Sequence, residues 1–271
     1  MFYIFVLGTI VGSFLNVVIY RYNSGVSPLK GRSQCFACGK TLHWYELIPL
    51  VSFIVQRARC RGCLVRLSWQ YPLVEVLSGI IFVAVFALHK PLIESIYLII
   101  VFSILLVIAM YDMRHQIIPD GLVAVFSILS VLWALWAVPG GVLRIFHTPY
   151  YWMLLAGPLL FLPFWALWFF SRGRWMGLGD GKLALGIGWF LGLTLGMSAI
   201  MFGFWLGALF AGIVMAIQRI QKFTASKMTP PSWSLKSEIP FGPFLILGVV
   251  VVYFTHINFF DGSVNIFDLL F

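Results

Sequence analysis

The sequence predicts an all-α protein that crosses a membrane several times, and three observations support this fold class. Of the 271 residues, 61% are hydrophobic and 10% are charged, whereas about 25% of the residues of an ordinary soluble domain are charged. The mean hydropathy is +0.98, and the apolar residues form runs of about 20 residues, the length that crosses a bilayer. Basic residues outnumber acidic ones by 18 to 9, and in so apolar a chain this excess indicates topology in the bilayer rather than nucleic-acid binding.

Eight apolar runs are predicted to be transmembrane helices. They cover roughly residues 2–20, 71–88, 91–111, 121–138, 150–170, 182–196, 197–218 and 241–257. The stretch 182–218 is too long for a single crossing, so we divide it near residues 194–198. The first run has no basic residue ahead of it and Arg21 directly after it. This pattern predicts a retained helix with its N-terminus outside the cell rather than a cleaved signal.

A polar segment, residues 21–70, separates the first two runs and predicts a small domain outside the membrane. If this domain faces the cytoplasm, 16 of the 18 Lys and Arg residues lie on the inner side, and only Lys90 and Arg144 lie outside. Such asymmetry agrees with the positive-inside rule. The predicted organisation is therefore a first helix (1–20), a cytoplasmic domain (21–70) and a larger membrane domain (71–271), with residues 219–240 as a flexible cytoplasmic loop.

The cytoplasmic segment holds all four cysteines in two C-x-x-C pairs. The cysteines are Cys35, Cys38, Cys60 and Cys63, with 21 residues between the pairs. This spacing predicts a tetrahedral zinc site, in which Gly39 and Gly62 allow tight turns. The alternative is two disulfides, which are rare in the reducing cytoplasm. Four thiolates leave no open position on the ion, so the predicted zinc is structural.

Two of the nine acidic residues stand at the ends of apolar runs on the predicted cytoplasmic face. Asp112 follows the run 99–111, and Asp180 lies in the glycine-rich segment 177–181. Carboxylates at the edge of lipid-embedded segments are costly and are therefore candidates for function. If the two meet, they share one proton, so that one takes a proton from water while the other polarises a peptide carbonyl. That is aspartic protease chemistry. The alternative is an ordinary surface ion pair with Arg114 or Lys182.

Several neighbouring residues are candidates for binding a substrate beside this pair. Asp120 precedes a predicted helix, where it could cap the helix or border the site. The other candidates are Gly177, Gly179 and Lys182 beside Asp180, Glu75 one turn into the second helix, and Glu238 at the end of the last cytoplasmic loop. The five histidines are scattered, and no rival catalytic set is visible.

The motifs, taken together, resemble those of the bacterial type IV prepilin peptidases, which are membrane aspartic proteases of the G-x-G-D kind. They are G-S-F-L-N-V-V-I-Y-R at 12–21, the two C-x-x-C pairs, Y-P-L-V-E at 71–75, Asp112 with I-P-D at 118–120, G-L-G-D-G-K-L at 177–183 and P-F-G-P at 240–243. A lone G-x-G-D is a weak signal, but all of these motifs in this order are specific. The resemblance covers nearly the whole chain.

The resemblance implies that Asp112 and Asp180 form the catalytic pair in the inner membrane of a bacterium. It implies cleavage of prepilins and pseudopilins on the cytoplasmic side, and in many members methylation of the new N-terminal amine from S-adenosylmethionine. The segment 43–50 departs from the family's usual E-N-I-P-L, with Tyr45, Glu46 and Leu47 where Glu-Asn is expected. Glu46 is accordingly a possible cofactor-binding residue. The alternatives are a peptidase without methyl transfer, or a zinc-stapled scaffold or transporter that is not an enzyme.

Overall fold

The structure is a computed structural model that describes residues 1–136, 151–224 and 240–260. These residues are helical apart from short connections and the cysteine-containing segment, so the all-α prediction is confirmed. Contacts divide the chain into two compact units, Met1–Met110 and Tyr111–Phe271.

The first unit contains two long helices and the cysteine-containing segment between them. The helices are α1 (Phe2–Arg21) and α3 (Gln70–Ala87), and the segment holds the five-residue helix α2 (Val51–Val55). The two long helices pack closely because glycines face the neighbouring backbone. A Cβ at Gly8 would lie 2.8 Å from Gly79 Cα, and a Cβ at Gly12 would lie 2.8 Å from Glu75 Cα. Small residues permit such contact between membrane helices.

Helix α4 (Leu92–His115) contains the division between the units, and five further helices complete the second unit. They are α5 (Asp120–Trp136), α6 (Tyr151–Ser171), α7 (Leu178–Leu191), α8 (Leu193–Thr224) and α9 (Gly242–Thr255). Helix α7 contacts α5, α6, α8 and α9, and nine of its 14 residues are buried. The helix that carries Asp180 is therefore at the centre of this unit.

Five helices in the described ranges are long and apolar enough to cross a membrane. They are Phe2–Arg21, Gln70–Ala87, Leu92–His115, Tyr151–Ser171 and, within α8, Leu193–Ile217. Helices α5 and α9 are apolar but shorter, with 17 and 14 residues. The chain is thus a multi-pass membrane protein, with a four-cysteine cluster between its first two spans.

Two helix boundaries differ from the sequence-based prediction. The long apolar stretch breaks at Gly192, whose φ of +77° suits glycine, rather than at 194–198. Helix α7 begins at Leu178, four residues before the predicted start at Lys182. Gly179 and Asp180 therefore lie in its first turn, not in a break that precedes it. The predicted loop at 219–240 lies largely outside the described residues.

Candidate functional site

The four cysteines form one cluster in the first unit. Single ligand atoms of Cys35, Cys38, Cys60 and Cys63 all lie within 4.8 Å of one another. All four are free thiols, and the Sγ atoms of Cys35 and Cys63 are 3.8 Å apart. Four converging thiols match the donor set of a structural zinc site, so the residues present fit that metal.

The two C-x-x-C segments share one backbone conformation. In the first, Cys35 N–H donates to Lys40 O at 2.9 Å, and in the second, Cys60 N–H donates to Val65 O at 2.9 Å. Isolated antiparallel bridges join Gln34 to Thr41 and Arg59 to Arg66. Residues 33–42 and 58–67 are thus equivalent halves of the cysteine cluster. The sequence alone did not reveal this repeat, because beyond the cysteines the two halves share few residues.

The tight turn in each half lies directly after the second cysteine. In the first half that residue is Gly39, with φ of +69°, as predicted. In the second half it is Leu64, with φ of +59°, whereas Gly62 does not have a positive φ. The prediction that Gly62 provides the turn was therefore wrong. Gly62 instead allows close packing against the first half of the cluster, because a Cβ there would lie 3.1 Å from Lys40 Cδ and 3.5 Å from Cys38 Sγ.

Glu46 closes a single turn beside the cysteine cluster. Its Oε2 accepts from His43 N–H at 2.9 Å, its Oε1 accepts from Lys40 Nζ at 3.1 Å, and the residue is buried. The hydrogen bond from His43, helped by Lys40, holds the pKa of this carboxyl below its ordinary value despite burial. Both oxygens are thus engaged in structural contacts, and the assignment of Glu46 as a cofactor ligand stays a prediction.

Glu75 also lies in the first unit, where its carboxylate supports a strained backbone. Its Oε2 accepts from Leu50 N–H at 2.8 Å, and Leu50 has a φ of +61° immediately before α2. Ser13 lies beside this carboxyl, and Glu75 is 7% exposed. These contacts give Glu75 a structural role within this unit, and its predicted contact with substrate stays a prediction.

Asp112 lies in the last turns of α4 and is 3% exposed. Its Oδ2 accepts from Gly242 N–H, at the start of α9, at 3.1 Å. A Cβ at Gly242 would lie 2.7 Å from the same oxygen, a separation that Cβ atoms do not tolerate. The absence of a side chain at residue 242 is thus what lets the backbone of α9 reach the carboxylate. His115, on the same helix, packs against Tyr111 in a tilted arrangement with ring centroids 4.4 Å apart.

Asp180 lies in the first turn of α7 and is 9% exposed. It is close enough to Asp112 for the two carboxyls to interact electrostatically. The side chain of Ile118 lies close to neighbours of both aspartates. It would be 3.0 Å from a Cβ at Gly179, the residue before Asp180, and 3.3 Å from a Cβ at Gly242, whose amide donates to Asp112. The structure thus brings together two aspartates that are far apart in the sequence.

The nearest lysine does not neutralise this pair. Lys182 Nζ lies 2.8 Å from Asp120 Oδ2, and this ion pair is solvent-accessible, with side chains 40% and 69% exposed. Among the described residues, neither Asp112 nor Asp180 forms a salt bridge. Ordinary ion pairing with Lys182 therefore does not explain either buried aspartate.

Sequence reasoning found both aspartates but missed two of their neighbours. Gly242 and Ile118 belong to the P-F-G-P and I-P-D motifs, which were noted only for their resemblance to a family. Gly177 lies just before α7, and the atoms nearest to a Cβ there would be 3.9 Å away, so this face is open. Glu238 lies outside the described residues.

Comparison with known proteins matches most of the chain. Residues 6–89 match the bacterial peptidase A24 N-terminal domain, and residues 99–215 match the type IV leader peptidase family. A prepilin leader peptidase/N-methyltransferase of Myxococcus xanthus is 46% identical over 43% of this chain and 35% of its own length. Proteins of the same name are 27% identical in Bacillus subtilis, over 92% of both chains, and 31% identical in Klebsiella pneumoniae, over 70% of this chain and 84% of the relative.

No solved structure matches the chain. Kinship therefore rests on both family models, which match in the expected order, and on the Bacillus and Klebsiella relatives, which align along most of their length. The chain belongs to the type IV leader peptidase family.

Proposed function

We propose that the chain is a membrane aspartic endopeptidase that removes the leader peptide of type IV prepilins or pseudopilins and then N-methylates the new N-terminal residue. The names of the relatives support both activities. The observation that carries the peptidase assignment is the juxtaposition of Asp112 and Asp180, two buried carboxyls without a basic partner among the described residues.

Two adjacent buried carboxyls are an energetically unfavourable arrangement. A buried carboxyl is unfavourable unless a cation or several hydrogen bonds compensate it, and two adjacent carboxyls cannot both be ionised at low cost. Glu46 has Lys40 as a compensating partner, whereas in the described part of the chain the Asp112 carboxylate accepts from the neutral Gly242 amide. Groups held in so unfavourable a state are candidates for catalysis. Asp112 and Asp180 are accordingly the proposed catalytic residues.

In the proposed reaction the two carboxyls share one proton. The ionised one takes a proton from a water molecule, whose oxygen attacks the scissile carbonyl carbon while the protonated one donates a hydrogen bond to the carbonyl oxygen. The tetrahedral species then collapses, the C–N bond breaks, and the leaving amine takes the proton that the first carboxyl received from the water. The proposed substrate contacts are Gly177, Gly179, Asp120 and Lys182, with Glu75 and Glu238 as further predictions.

Zinc and S-adenosylmethionine are the proposed cofactors. The four cysteines would hold zinc, which supplies no reactive position and stabilises the domain. S-adenosylmethionine supplies a methyl group on a sulfonium. Glu46 stays the predicted residue for its binding.

We place the peptidase site at the cytoplasmic face of a bacterial inner membrane, with eight crossings and the N-terminus outside. The support is the distribution of basic residues in the sequence and the presence of eight helices of 14 to 32 residues in the described ranges. The prepilin substrate is itself anchored in the bilayer, so both partners would meet at the same depth. A division into residues 1–20, 21–70 and 71–271 stays a prediction.

The test is cleavage of a prepilin by Asp112→Asn and Asp180→Asn variants. Asparagine has nearly the same shape but cannot share the proton, so we expect each variant to lose at least about 1,000-fold in rate. Glu94→Gln is the matched control, because Glu94 lies on the same helix as Asp112 and pairs with Lys90 at 3.3 Å. Mass spectrometry of the product measures both its cleavage and its methylation.

The outcomes separate the candidate functions. Retained cleavage in either aspartate variant, with normal insertion, would refute the catalytic pair. A cleaved but unmethylated product from the wild-type protein would indicate a peptidase without methyltransferase activity. No cleavage of any prepilin by the wild-type protein would favour the scaffold or transporter alternative.

A further inference from the structure

A basic cavity of about 670 Å³ lies in the first unit, and neither the two aspartates nor the four cysteines line it. Three arginines line it, Arg57, Arg59 and Arg66, together with Trp69. All four of these residues are exposed. The cavity therefore combines concentrated positive charge, an aromatic ring and open access.

Two of these arginines are forced together by the backbone. Arg59 and Arg66 face each other in an antiparallel bridge. Leu67 N–H donates to Ala58 O at 2.7 Å and Cys60 N–H donates to Val65 O at 2.9 Å. Hydrogen bonds on both sides of the bridge identify a non-hydrogen-bonded pair, in which directly opposite side chains are closest. Like charges in that position destabilise the fold.

Among the residues that the structure describes, no acidic side chain forms a salt bridge with either arginine. Residues 47–74 contain no Asp or Glu, Glu46 pairs with Lys40, and Glu75 accepts from Leu50 N–H. In the equivalent half of the cysteine cluster, Gln34 and Thr41 occupy the same bridge positions and carry no charge. The fold therefore does not require arginines there, which indicates that they serve an external anion.

The surroundings of the cavity indicate which anion. Trp69 is the residue directly before α3, a candidate membrane span, and it is 76% exposed. Helix α2 presents Ile54 and Val55 to the outside, at 73% and 61% exposure, while its Phe53 is buried and packs on Trp69 with ring centroids 5.2 Å apart. Tryptophan and apolar side chains beside arginines at the start of a span are typical of the membrane interface.

We propose that this arginine cavity binds the phosphate of an anionic phospholipid headgroup. The guanidinium groups of Arg59 and Arg66 match phosphate oxygens in charge and geometry. Trp69 and the exposed apolar side of α2 lie among the adjoining acyl chains. A free phosphate or an acidic peptide would use the arginines but would leave these apolar groups in water, so the lipid is the better match.

The test uses the full-length protein, delipidated in nonionic detergent, with phosphatidylglycerol and phosphatidylcholine as probes and native mass spectrometry as the readout. The variant Arg59→Gln with Arg66→Thr transfers the uncharged pair of the other half, which that fold already accommodates. Lys30→Gln with Arg32→Gln is the control, because it removes the same charge from exposed positions of the same segment outside the cavity. Arg57→Gln is measured in parallel, since it leaves the bridge unchanged.

Wild-type protein should bind phosphatidylglycerol more tightly than phosphatidylcholine. The double arginine variant should lose roughly thirtyfold in phosphatidylglycerol affinity and Arg57→Gln about fivefold, as each arginine near a membrane surface contributes comparably. The control should change by less than about twofold. Equal binding of both lipids, or an equal loss in the control, would overturn the proposal. Displacement of the lipid by equimolar inorganic phosphate or by an acidic peptide would overturn the choice of ligand.

Discussion

At residue 242 the structure leaves no space for any side chain. The missing Cβ would meet Asp112 Oδ2 at 2.7 Å, and the Gly242 amide donates to that same atom. One backbone position thus sets the orientation of one of the two proposed catalytic carboxyls. In a reaction that needs a water molecule held between two acids, a small displacement is costly, because about 1 Å of misplacement can reduce a rate about 100-fold.

Gly242→Ala is therefore expected to lower kcat for prepilin cleavage by about 100-fold with little change in KM. The added methyl group displaces Asp112, while substrate contacts elsewhere remain. Gly207→Ala is the control, since a Cβ there would meet only side chains, at 3.6 Å. Gly242→Ala should also lower the thermal stability. Asp112→Ala removes the clashing carboxylate, so this loss should disappear when the two substitutions are combined. A variant with an unchanged kcat would contradict the positioning role.

The sequence identified the aspartates at this scale but not their partners. Asp112 and Asp180 are noticeable because acids are scarce in an apolar chain. The amide of Gly242 is separated from Asp112 by 130 residues, and no local pattern reports such a contact. Lys182 was considered as an ion-pair partner for these aspartates because it follows Asp180 by two residues, but it pairs with Asp120 across the α5–α7 contact.

At the scale of elements, the cysteine segment is held by a few specific contacts because it has little apolar core. Glu46 closes the turn at 44–46 and Glu75 holds Leu50 before α2. Helix boundaries were harder to predict where tertiary packing decides them. Gly179 and Gly181 have low intrinsic helix propensity, yet they lie in α7 because Ile118 and Phe164 fill the space beside them.

Glu46→Gln should destabilise the cysteine segment at neutral pH, and the difference from wild type should shrink as the pH falls. The His43 amide and Lys40 lower the pKa of this carboxyl. The stabilisation is therefore fully present above the ordinary value of 4.5 and is lost as the pH falls through the lower folded-state value. The measurement is the rate of proteolysis within residues 21–70 of the full-length protein. A difference in proteolysis rate between the variant and the wild type that stays constant from neutral pH to pH ~3 would contradict this role.

Removal of zinc should unfold the same segment without unfolding the helices. A short segment with a small core depends on its metal, and Cys35→Ser or Cys60→Ser should eliminate the bound ion. We expect one zinc per chain by elemental analysis of the wild-type protein. Protease sensitivity within residues 21–70 should rise in both variants while helical content by circular dichroism persists. Absence of metal from a wild-type protein with four intact thiols would exclude the zinc assignment.

At the scale of the whole molecule, composition alone predicted the all-α, multi-pass class. Hydropathy located the long helices well, because a lipid-facing helix must be apolar along its length. It could not determine how many of them cross. Helices α5, α7 and α9 are 17, 14 and 14 residues long, shorter than a typical span, and their surroundings in the bundle decide whether they cross.

Alkaline phosphatase fusions distinguish the proposed eight crossings from five. With eight crossings and the N-terminus outside, a fusion after His89 should be active, and fusions after Gln116 and Arg174 inactive. If only the five longer helices crossed, the fusion after Arg174 would lie outside and be active, because α5 would not reverse the chain. An active fusion at Arg174 would therefore reject the proposed topology.

The close packing of α1 on α3 has a mechanical consequence. Gly12 touches the backbone of Glu75, and the Glu75 carboxylate accepts a hydrogen bond from Leu50 N–H, in the segment between α1 and α3. A single methyl group inserted at Gly12 would push the Glu75 backbone outward and loosen the strained peptide at Leu50. A change made deep among the hydrocarbon-facing helices would thus reach the water-exposed loop through one rigid acid side chain.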